Sequence, residues 1–231
     1  MRKSLRLSAI SLLVPVVLSL VLSSCATGGR RQAAETPEAV PSKGPTLSKA
    51  EQVAKATELF RQVVDILGDS DRKTAVPKME VLYKKIIDDY PEAPVAQECY
   101  WRLILIYLRD YTPPQFGKAE EYHRRFVGRY PDSQFRREIE DSMAKAYYTG
   151  GKWSSLLALY TPEVKRYIES GKLDRPQEMF LYAEAKMNLG DLVEAEKGYR
   201  IVVSLFPATR EGSLAKMRLE KIAKAKETGR K

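Results

Sequence analysis

Residues with distinctive chemistry are scarce in this chain of 231 residues, which has two cysteines, Cys25 and Cys99, and one histidine, His123. A cysteine thiol can form a disulfide, bind a metal or accept a covalent group, and a histidine can act as a general base. The two cysteines do not have the spacing of a metal-binding or redox motif. The segment around each of these three residues therefore decides its interpretation.

Cys25 follows a segment that is typical of an export signal. A short basic stretch precedes an almost wholly apolar run from Leu7 to Leu22, which is marginal for spanning a bilayer and contains Pro15. The tetrapeptide Leu22-Ser23-Ser24-Cys25 resembles the lipobox of bacterial lipoproteins, in which the cysteine thiol accepts a diacylglyceryl group. We therefore expect a cleaved signal peptide over residues 1–24 and covalent lipid on Cys25. The alternative is an ordinary signal peptide or membrane anchor.

The resemblance also predicts where the protein resides. Ala26 follows the cysteine, whereas an aspartate there favours inner-membrane retention in lipoproteins of the enterobacterial type. The resemblance thus implies a protein anchored by lipid to the outer membrane, on its periplasmic face. Loss of three basic residues with the signal lowers the formal net charge from +9 to +6. This modest excess could favour anionic headgroups or acidic proteins, and export argues against nucleic acid as a partner.

A tether is predicted between the anchor and a folded domain. Residues 25–48 contain few large apolar side chains and several Pro and Gly residues, so they cannot bury enough surface to fold. Ser48 and Glu51 have the spacing of a capping box, which begins a helix. We therefore expect lipidated Cys25 and a flexible tether over 25–48, and a helical domain over 49–231.

The folded domain repeats one pattern before three of its prolines. Apolar residues spaced at three, four, seven, eight and eleven positions share one helical face, and the proline then ends the helix. No segment alternates with the period of a strand. The three patterns are Met79, Leu82, Tyr83, Ile86, Ile87 and Tyr90 before Pro91; Ala119, Tyr122, His123, Phe126, Val127 and Tyr130 before Pro131; and Ala195, Gly198, Tyr199, Val202, Val203 and Phe206 before Pro207.

These segments resemble the second helix of the tetratricopeptide repeat, best at Ala195, Tyr199 and Pro207. Gly190 and Asp191 are similar to the turn that precedes that helix. The resemblance implies an all-α solenoid with helix pairs over 49–91, 94–131, 134–170 and 175–207, and a last helix over 210–227. The third pair departs from the pattern because no aromatic-proline closes it near Tyr167.

The last helix is expected to bury one apolar face and to expose its lysines. The first set is Leu214, Met217, Leu219 and Ile222, and the second is Lys216, Lys221, Lys224 and Lys226. Cys99 lies in an apolar stretch and is predicted to be a buried thiol, and His123 a core or interface histidine. The carboxylates scatter around helices, and no nucleophile motif or phosphate-binding loop occurs. We therefore expect no enzyme, no metal, no small-molecule substrate and no cofactor beyond the covalent lipid.

The expected activity is the binding of protein partners. Tetratricopeptide domains bind peptide segments in a groove lined by their first helices. The resemblance transfers this groove to Trp101, Arg109, Lys145, Tyr148, Glu184, Met187 and Asn188. Each of these residues has the alternative of packing against a neighbouring repeat.

The combination of lipid anchor, tether and small solenoid resembles the lipoprotein family that serves in the outer-membrane β-barrel assembly machine. The segments Phe126 to Ser133 and Ala144 to Tyr148 carry most of this likeness. It implies docking on a membrane-embedded barrel protein. Two alternatives stay open: a pilotin-like lipoprotein that targets a secretin or pilus system, and a scaffold that links envelope complexes to the cell wall.

Overall fold

The computed structural model describes residues 47–228, and these fold into an all-α array of nine helices without a strand. The helices are α1 Lys49–Asp69, α2 Arg72–Asp89, α3 Val95–Arg109, α4 Phe116–Arg129, α5 Phe135–Thr149, α6 Trp153–Ser170, α7 Pro176–Asn188, α8 Leu192–Leu205 and α9 Arg210–Thr228. The prediction of an all-α domain is thereby confirmed for this range. The predicted signal peptide, Cys25 and the tether up to residue 46 lie outside the described residues.

The described helices pack in the order in which the chain forms them. Each helix lies against the next, and the alternate helices α1 and α3, α3 and α5, and α7 and α9 also touch. This arrangement is consistent with a helical repeat fold. Between residues 47 and 228, no helix is both long enough and apolar enough to cross a bilayer.

Local signals explain where the helices begin and end. The Ser48 hydroxyl accepts a hydrogen bond from the Glu51 amide at 3.3 Å, and the Ser48 amide donates to the Glu51 carboxylate at 2.8 Å, which confirms the capping box. Gly190 adopts the left-handed conformation, with φ of 86°, and the Asp191 carboxylate then accepts from the Glu194 amide at the start of α8. The third pair lacks its closing proline, and Gly171, with φ of 69°, ends α6 instead.

The same polar contact recurs after 40 residues, at the junction of the first and second helix pairs and at that of the second and third. The Tyr107 hydroxyl of α3 donates to Glu80 of α2 at 2.9 Å, and the Tyr147 hydroxyl of α5 donates to Glu120 of α4 at 3.0 Å. Both members of the second pair lie 40 positions beyond those of the first. The same polar contact therefore connects the second helix of one pair to the first helix of the next.

The buried side chains form two clusters. The larger one spans α1 to α6 and includes Ala185 of α7, with Tyr83, Tyr107 and Tyr147 among its largest members. The smaller one is built mainly from α7, α8 and α9. Cys99 is fully buried in the larger cluster, as predicted, and burial raises the pKa of its thiol. A thiol with this environment is a packing residue.

The predicted inner face of α9 is wrong at one position. Met217 is 61% exposed, whereas Ile222 is buried and Leu214 and Leu219 are partly buried. The predicted lysine face is confirmed, since Lys216, Lys221, Lys224 and Lys226 are all exposed. Arg218, beside Met217, points to the interior and pairs with Glu184. Arg218 thus shares the inner side of α9 with the buried Ala215 and Ile222, and hydrophobicity alone does not predict its position.

Candidate partner-binding surfaces

The seven predicted groove residues all lie on first helices of the pairs, and the structure brings four of them together. Tyr148 of α5 reaches α7, where Glu184, Met187 and Asn188 lie. The Tyr148 hydroxyl donates to the Glu184 carboxylate at 3.0 Å, and the Asn188 side chain donates to the Glu184 carbonyl at 2.8 Å. These contacts make the surface at the end of α7 continuous with α5.

Glu184 is the centre of this region, and its carboxylate accepts bonds from three other helices. Besides Tyr148 of α5, the Tyr199 hydroxyl of α8 donates to it at 2.6 Å, and Arg218 of α9 donates through Nε at 2.6 Å and through Nη2 at 3.1 Å. We name Tyr148, Glu184, Tyr199 and Arg218 the Glu184 cluster. It joins α5, α7, α8 and α9.

The charges of the Glu184 cluster are compensated within the fold. Glu184 is only 1% exposed, and burial opposes its ionisation. Hydrogen bonds from Arg218 and Tyr199 outweigh that penalty, so the pKa of this carboxyl lies below its ordinary value. Burial and the neighbouring carboxylate raise the pKa of the Tyr148 hydroxyl. Glu184 therefore packs against neighbouring helices. This is the alternative to partner binding that the sequence leaves open for each groove residue.

Other members of the predicted groove remain accessible. Tyr148 is 38% exposed and its ring stands edge-on to Trp153, with centroids 5.3 Å apart. Asn188 is exposed, and Met187 is partly buried beside the Tyr199 hydroxyl. The hydrogen bond to Glu184 and the contact with Trp153 hold the Tyr148 ring in place. A ring held in this way suits recognition, because little side-chain entropy is lost on binding.

Of the remaining three groove residues, Lys145 lies one turn before Tyr148 on α5, and Trp101 and Arg109 lie on α3. Trp101 of α3 is partly buried and packs on Phe135, with ring centroids 5.7 Å apart. Its indole N–H is buried without a hydrogen-bond partner among residues 47–228. Arg109 and Lys145 are exposed, and neither forms an ion pair with any other described residue. They supply free positive charge on α3 and α5.

A second candidate surface is a cleft that sequence analysis did not predict. It has a volume of about 580 Å³ and lies between α4, α5 and α6. Small side chains of α6 form one wall, namely Ser154, Ser155 and Ala158. On the opposite wall, α4 carries His123 at the position where α2 carries the larger and fully buried Tyr83. Reduced side-chain volume on both walls explains the opening.

The polar groups of the cleft centre on Glu140 of α5. His123 Nε2 lies 3.6 Å from a Glu140 oxygen, and Arg136 Nε donates to the same oxygen at 2.8 Å. Burial opposes ionisation of Glu140, but His123 and Arg136 outweigh it and lower the pKa of this carboxyl. His123 is partly buried at the edge of packed helices, which fits the predicted interface histidine.

Two hydroxyls of the cleft are held by one carboxylate: Ser155 donates to Glu120 at 3.1 Å, and Tyr147 donates to it at 3.0 Å. In the range that the structure covers, no three metal-binding side chains converge. The cleft offers an apolar interior with a few oriented polar groups, which is the usual composition of a binding site.

Comparison with known proteins gives no family for this chain: no protein-family model matches it, and no curated protein does. Functional assignment therefore rests on the sequence motifs and on the geometry of the described residues.

Two features of these surfaces escape sequence reasoning for different reasons. Arg218 is one of many charged residues in α9, and its partner lies 34 positions earlier in the chain. The cleft follows from missing side-chain volume on α4 and α6. The one local signal for it is the run of small residues at Ser154, Ser155 and Ala158, in the pair that lacks a closing proline.

Proposed function

We propose that this chain is a lipid-anchored tetratricopeptide-type scaffold that binds protein partners at the periplasmic face of the outer membrane. The exposed aromatic and cationic residues on first helices carry this proposal. Tyr148 is partly exposed and is held by its hydrogen bond to Glu184. Arg109 and Lys145 are exposed and form no ion pair within residues 47–228. Aromatic and arginine side chains contribute most of the binding energy at protein interfaces.

The packing of the fourth pair supports the tetratricopeptide assignment. In that family a small residue lies where the two helices of a pair cross. Gly198 of α8 lies against Ala183 of α7, so closely that a Cβ built on Gly198 would be 2.8 Å from the Ala183 Cβ. Tyr199 is fully buried beside this crossing. The resemblance assigns the small residue to Ala195 and the aromatic to Tyr199; both are fully buried, and Gly198 is a second small residue at the crossing.

We further propose that the partner belongs to the outer-membrane β-barrel assembly machine. The support is the combination of the Leu22-Ser23-Ser24-Cys25 motif, the tether and the solenoid. The pilotin-like lipoprotein and the cell-wall scaffold are the competing assignments, because each also combines an anchor with a binding domain.

The test is crosslinking in living cells that express the full chain with its own signal. A photoreactive amino acid at Lys145 samples the groove, and the same group at exposed Lys78 of α2 serves as the control. Capture of a β-barrel assembly component from position 145 and not from 78 is the expected result. Capture of a secretin or a cell-wall protein at 145 would replace the partner assignment.

Two variants separate the anchor from the binding surface. Cys25→Ala should move the protein out of the membrane fraction while leaving its fold intact, and unchanged fractionation would refute the lipid anchor. Tyr148→Ala should reduce capture at position 145, whereas Tyr148→Phe retains the exposed ring and loses only the hydrogen bond to Glu184. Equal loss in both variants would mean that the ring itself does not contact the partner.

A further inference from the structure

The turn between α7 and α8 exposes three aliphatic side chains. Leu189 is 47% exposed, Leu192 is 37% exposed and Val193 is 60% exposed, and none of them belongs to either buried cluster. The links between the two helices of the other three pairs contain no Leu, Ile or Val. The packing of the described helices therefore does not account for these side chains. We name Leu189, Leu192 and Val193 the apolar tip.

The backbone of the apolar tip is hydrogen-bonded within the turn itself. The amide of Leu189 donates to the Ala185 carbonyl at 3.0 Å, and the amide of Asp191 donates to the Lys186 carbonyl at 2.9 Å. The Asp191 carboxylate accepts from the Glu194 amide at 3.2 Å. Backbone groups that are bonded in this way need no water, so the turn can enter an apolar environment without leaving these N–H groups unpaired.

The charged side chains beside the apolar tip are paired with one another. Three ion pairs lie within about one helical turn of it, namely Lys186–Asp191, Lys197–Glu194 and Lys226–Glu196. Because each of these cations has a carboxylate partner, the pairs select neither an acidic nor a basic partner. The tip offers apolar area, whose removal from water is favourable in proportion to the area buried.

The hydrocarbon of a bilayer suits the apolar tip better than a folded protein does. Successive exposed side chains in a tight turn form a convex surface, and acyl chains rearrange around such a surface, whereas a protein must provide a pocket of matching shape. The neighbouring lysines can lay their methylene stems against lipid while their ammonium groups stay in water.

The length of chain before the described domain also favours a bilayer. Residues 26–46 separate Cys25 from the described domain, and a chain of this length spans at most about 75 Å. Lipid on Cys25 keeps the apolar tip within reach of the membrane, where even weak insertion is populated. The inference rests on the proposed function in this one respect, that the chain is anchored to a membrane.

We propose that the apolar tip is a membrane-contact site, which inserts Leu189, Leu192 and Val193 at the boundary between lipid headgroups and acyl chains. The chemistry that it recognises is uncharged hydrocarbon, so contact requires no anionic lipid. Met187 and Asn188 of the predicted groove directly precede the tip. Insertion therefore brings that end of the groove close to proteins that are embedded in the same membrane.

The test holds the chain on vesicles through a tag, so that it does not depend on the natural anchor. A chain from residue 26 with an N-terminal polyhistidine tag is bound to phosphatidylcholine vesicles that contain a nickel-chelating lipid. Val193→Cys carries the polarity-sensitive fluorophore NBD, and the buried Cys99 stays unlabelled. The matched control is Val81→Cys, because Val81 is a valine of similar exposure, 64%, on α2.

On vesicles, NBD emission at position 193 should shift to the blue. It should fall by about half when a nitroxide is attached near the top of the acyl chains, since interfacial side chains reach about 5–10 Å into this region. Emission at position 81 should not change. Leu189→Asp combined with Leu192→Asp should abolish quenching at position 193, because aspartate is unfavourable in hydrocarbon. Circular dichroism checks the fold, and phosphatidylglycerol in the vesicles should leave the result unchanged.

Four outcomes would overturn the proposal. The first is equal quenching at positions 193 and 81, and the second is quenching that survives the folded double aspartate variant. The third is quenching in anionic vesicles alone, which would assign the contact to lysines. The fourth is blue-shifted emission without vesicles, which would mean that a second copy of the chain covers the tip. The proposed anchor and groove are tested separately, by fractionation of Cys25→Ala and by crosslinking at position 145.

Discussion

Glu184 is buried and Glu140 partly buried, and a hydrogen bond from an arginine helps to lower the pKa of each carboxyl. The helices pack closely around Glu184, whereas a cleft opens beside Glu140. Glu184 accepts bonds from Tyr148, Tyr199 and Arg218, which come from three other helices. Glu140 accepts its charged hydrogen bond from Arg136, one turn earlier on the same helix. The hydrogen bonds to Glu184 therefore join four helices, whereas the charged hydrogen bond to Glu140 stays within α5, and His123 of α4 lies 3.6 Å from this carboxylate.

This difference shows that the position of a hydrogen-bond partner along the chain matters as much as its charge. An arginine four residues away satisfies a carboxylate at little entropic cost but adds no contact between helices. An arginine 34 residues away satisfies it only when the whole C-terminal region is assembled. The first arrangement is compatible with a cleft, and the second with a closed interface.

The largest predicted effect is on the closed region. Glu184→Gln removes the charge that compensates Arg218 and weakens the bonds from both tyrosines. We expect the free energy of unfolding to fall by about 3 kcal/mol, near the low end for a broken buried pair because Arg218 is partly exposed. Urea denaturation at pH 7 measures it. Glu140→Gln is the matched control and should cost about 1 kcal/mol, since its partner lies on the same helix. Equal losses would remove the distinction between the two carboxylates.

A glycine in each region gives the next comparison. Gly198→Ala places a methyl group 2.8 Å from the Ala183 Cβ, which cannot move away without shifting its helix. Overpacking exceeds the gain in helix propensity, so the variant should lose about 1–2 kcal/mol. Gly128→Ala on α4 meets no atom within 4 Å and should gain about 0.5 kcal/mol. Thermal denaturation of the two variants measures both signs, and a stabilising Gly198→Ala would show that α7 and α8 are not tightly crossed.

Acid should reduce the difference between wild type and Glu184→Gln. Because the folded-state pKa of Glu184 lies below its ordinary value of 4.5, its ionised form stabilises the fold above that value. This contribution is lost as the pH falls from about 5 through the lowered folded-state pKa. Urea denaturation at pH 7, 5 and 4 should therefore show the two free energies of unfolding converge at the acid end. A constant gap would mean that the charge of Glu184 contributes nothing to stability.

The smallest effect is expected where the fold is open. Ala158 is exposed in the wall of the cleft, so Ala158→Leu adds volume to empty space and should change the free energy of unfolding by less than about 0.5 kcal/mol. Ala195 is fully buried in α8, and Ala195→Leu should cost about 1–3 kcal/mol through overpacking. Urea denaturation of the pair compares the cleft with the core directly. A large loss at position 158 would indicate that the cleft is closed in solution.

The helices of this fold are predictable because their signals are local. The pair expected over 94–131 contains α3 Val95–Arg109 and α4 Phe116–Arg129, and the last helix expected over 210–227 is α9 Arg210–Thr228. Apolar spacing, proline and glycine determine these bounds within a few residues of sequence. The same local logic placed the capping box at Ser48 and the left-handed turn at Gly190.

The surfaces are less predictable because they depend on contacts between distant helices. Apolar spacing predicts that Met217 of α9 points inward, but Met217 is exposed, and Arg218 beside it pairs with Glu184. Four predicted groove residues do meet, since Tyr148 reaches α7, but Glu184 among them is buried. Binding by Trp101, Arg109 and Lys145 stays a prediction that needs a partner to test it.

The ion pair between Glu184 and Arg218 also has a consequence for the order in which the chain is made. Synthesis proceeds from the N-terminus, so Glu184 emerges 34 residues before the guanidinium that compensates it. Until residue 218 is available, the helices around Glu184 can close only by burying a carboxylate without its counterion. A chain truncated before Arg218 lacks the counterion of Glu184. The C-terminal core thus gains the counterion of its buried carboxylate only when synthesis has passed residue 218.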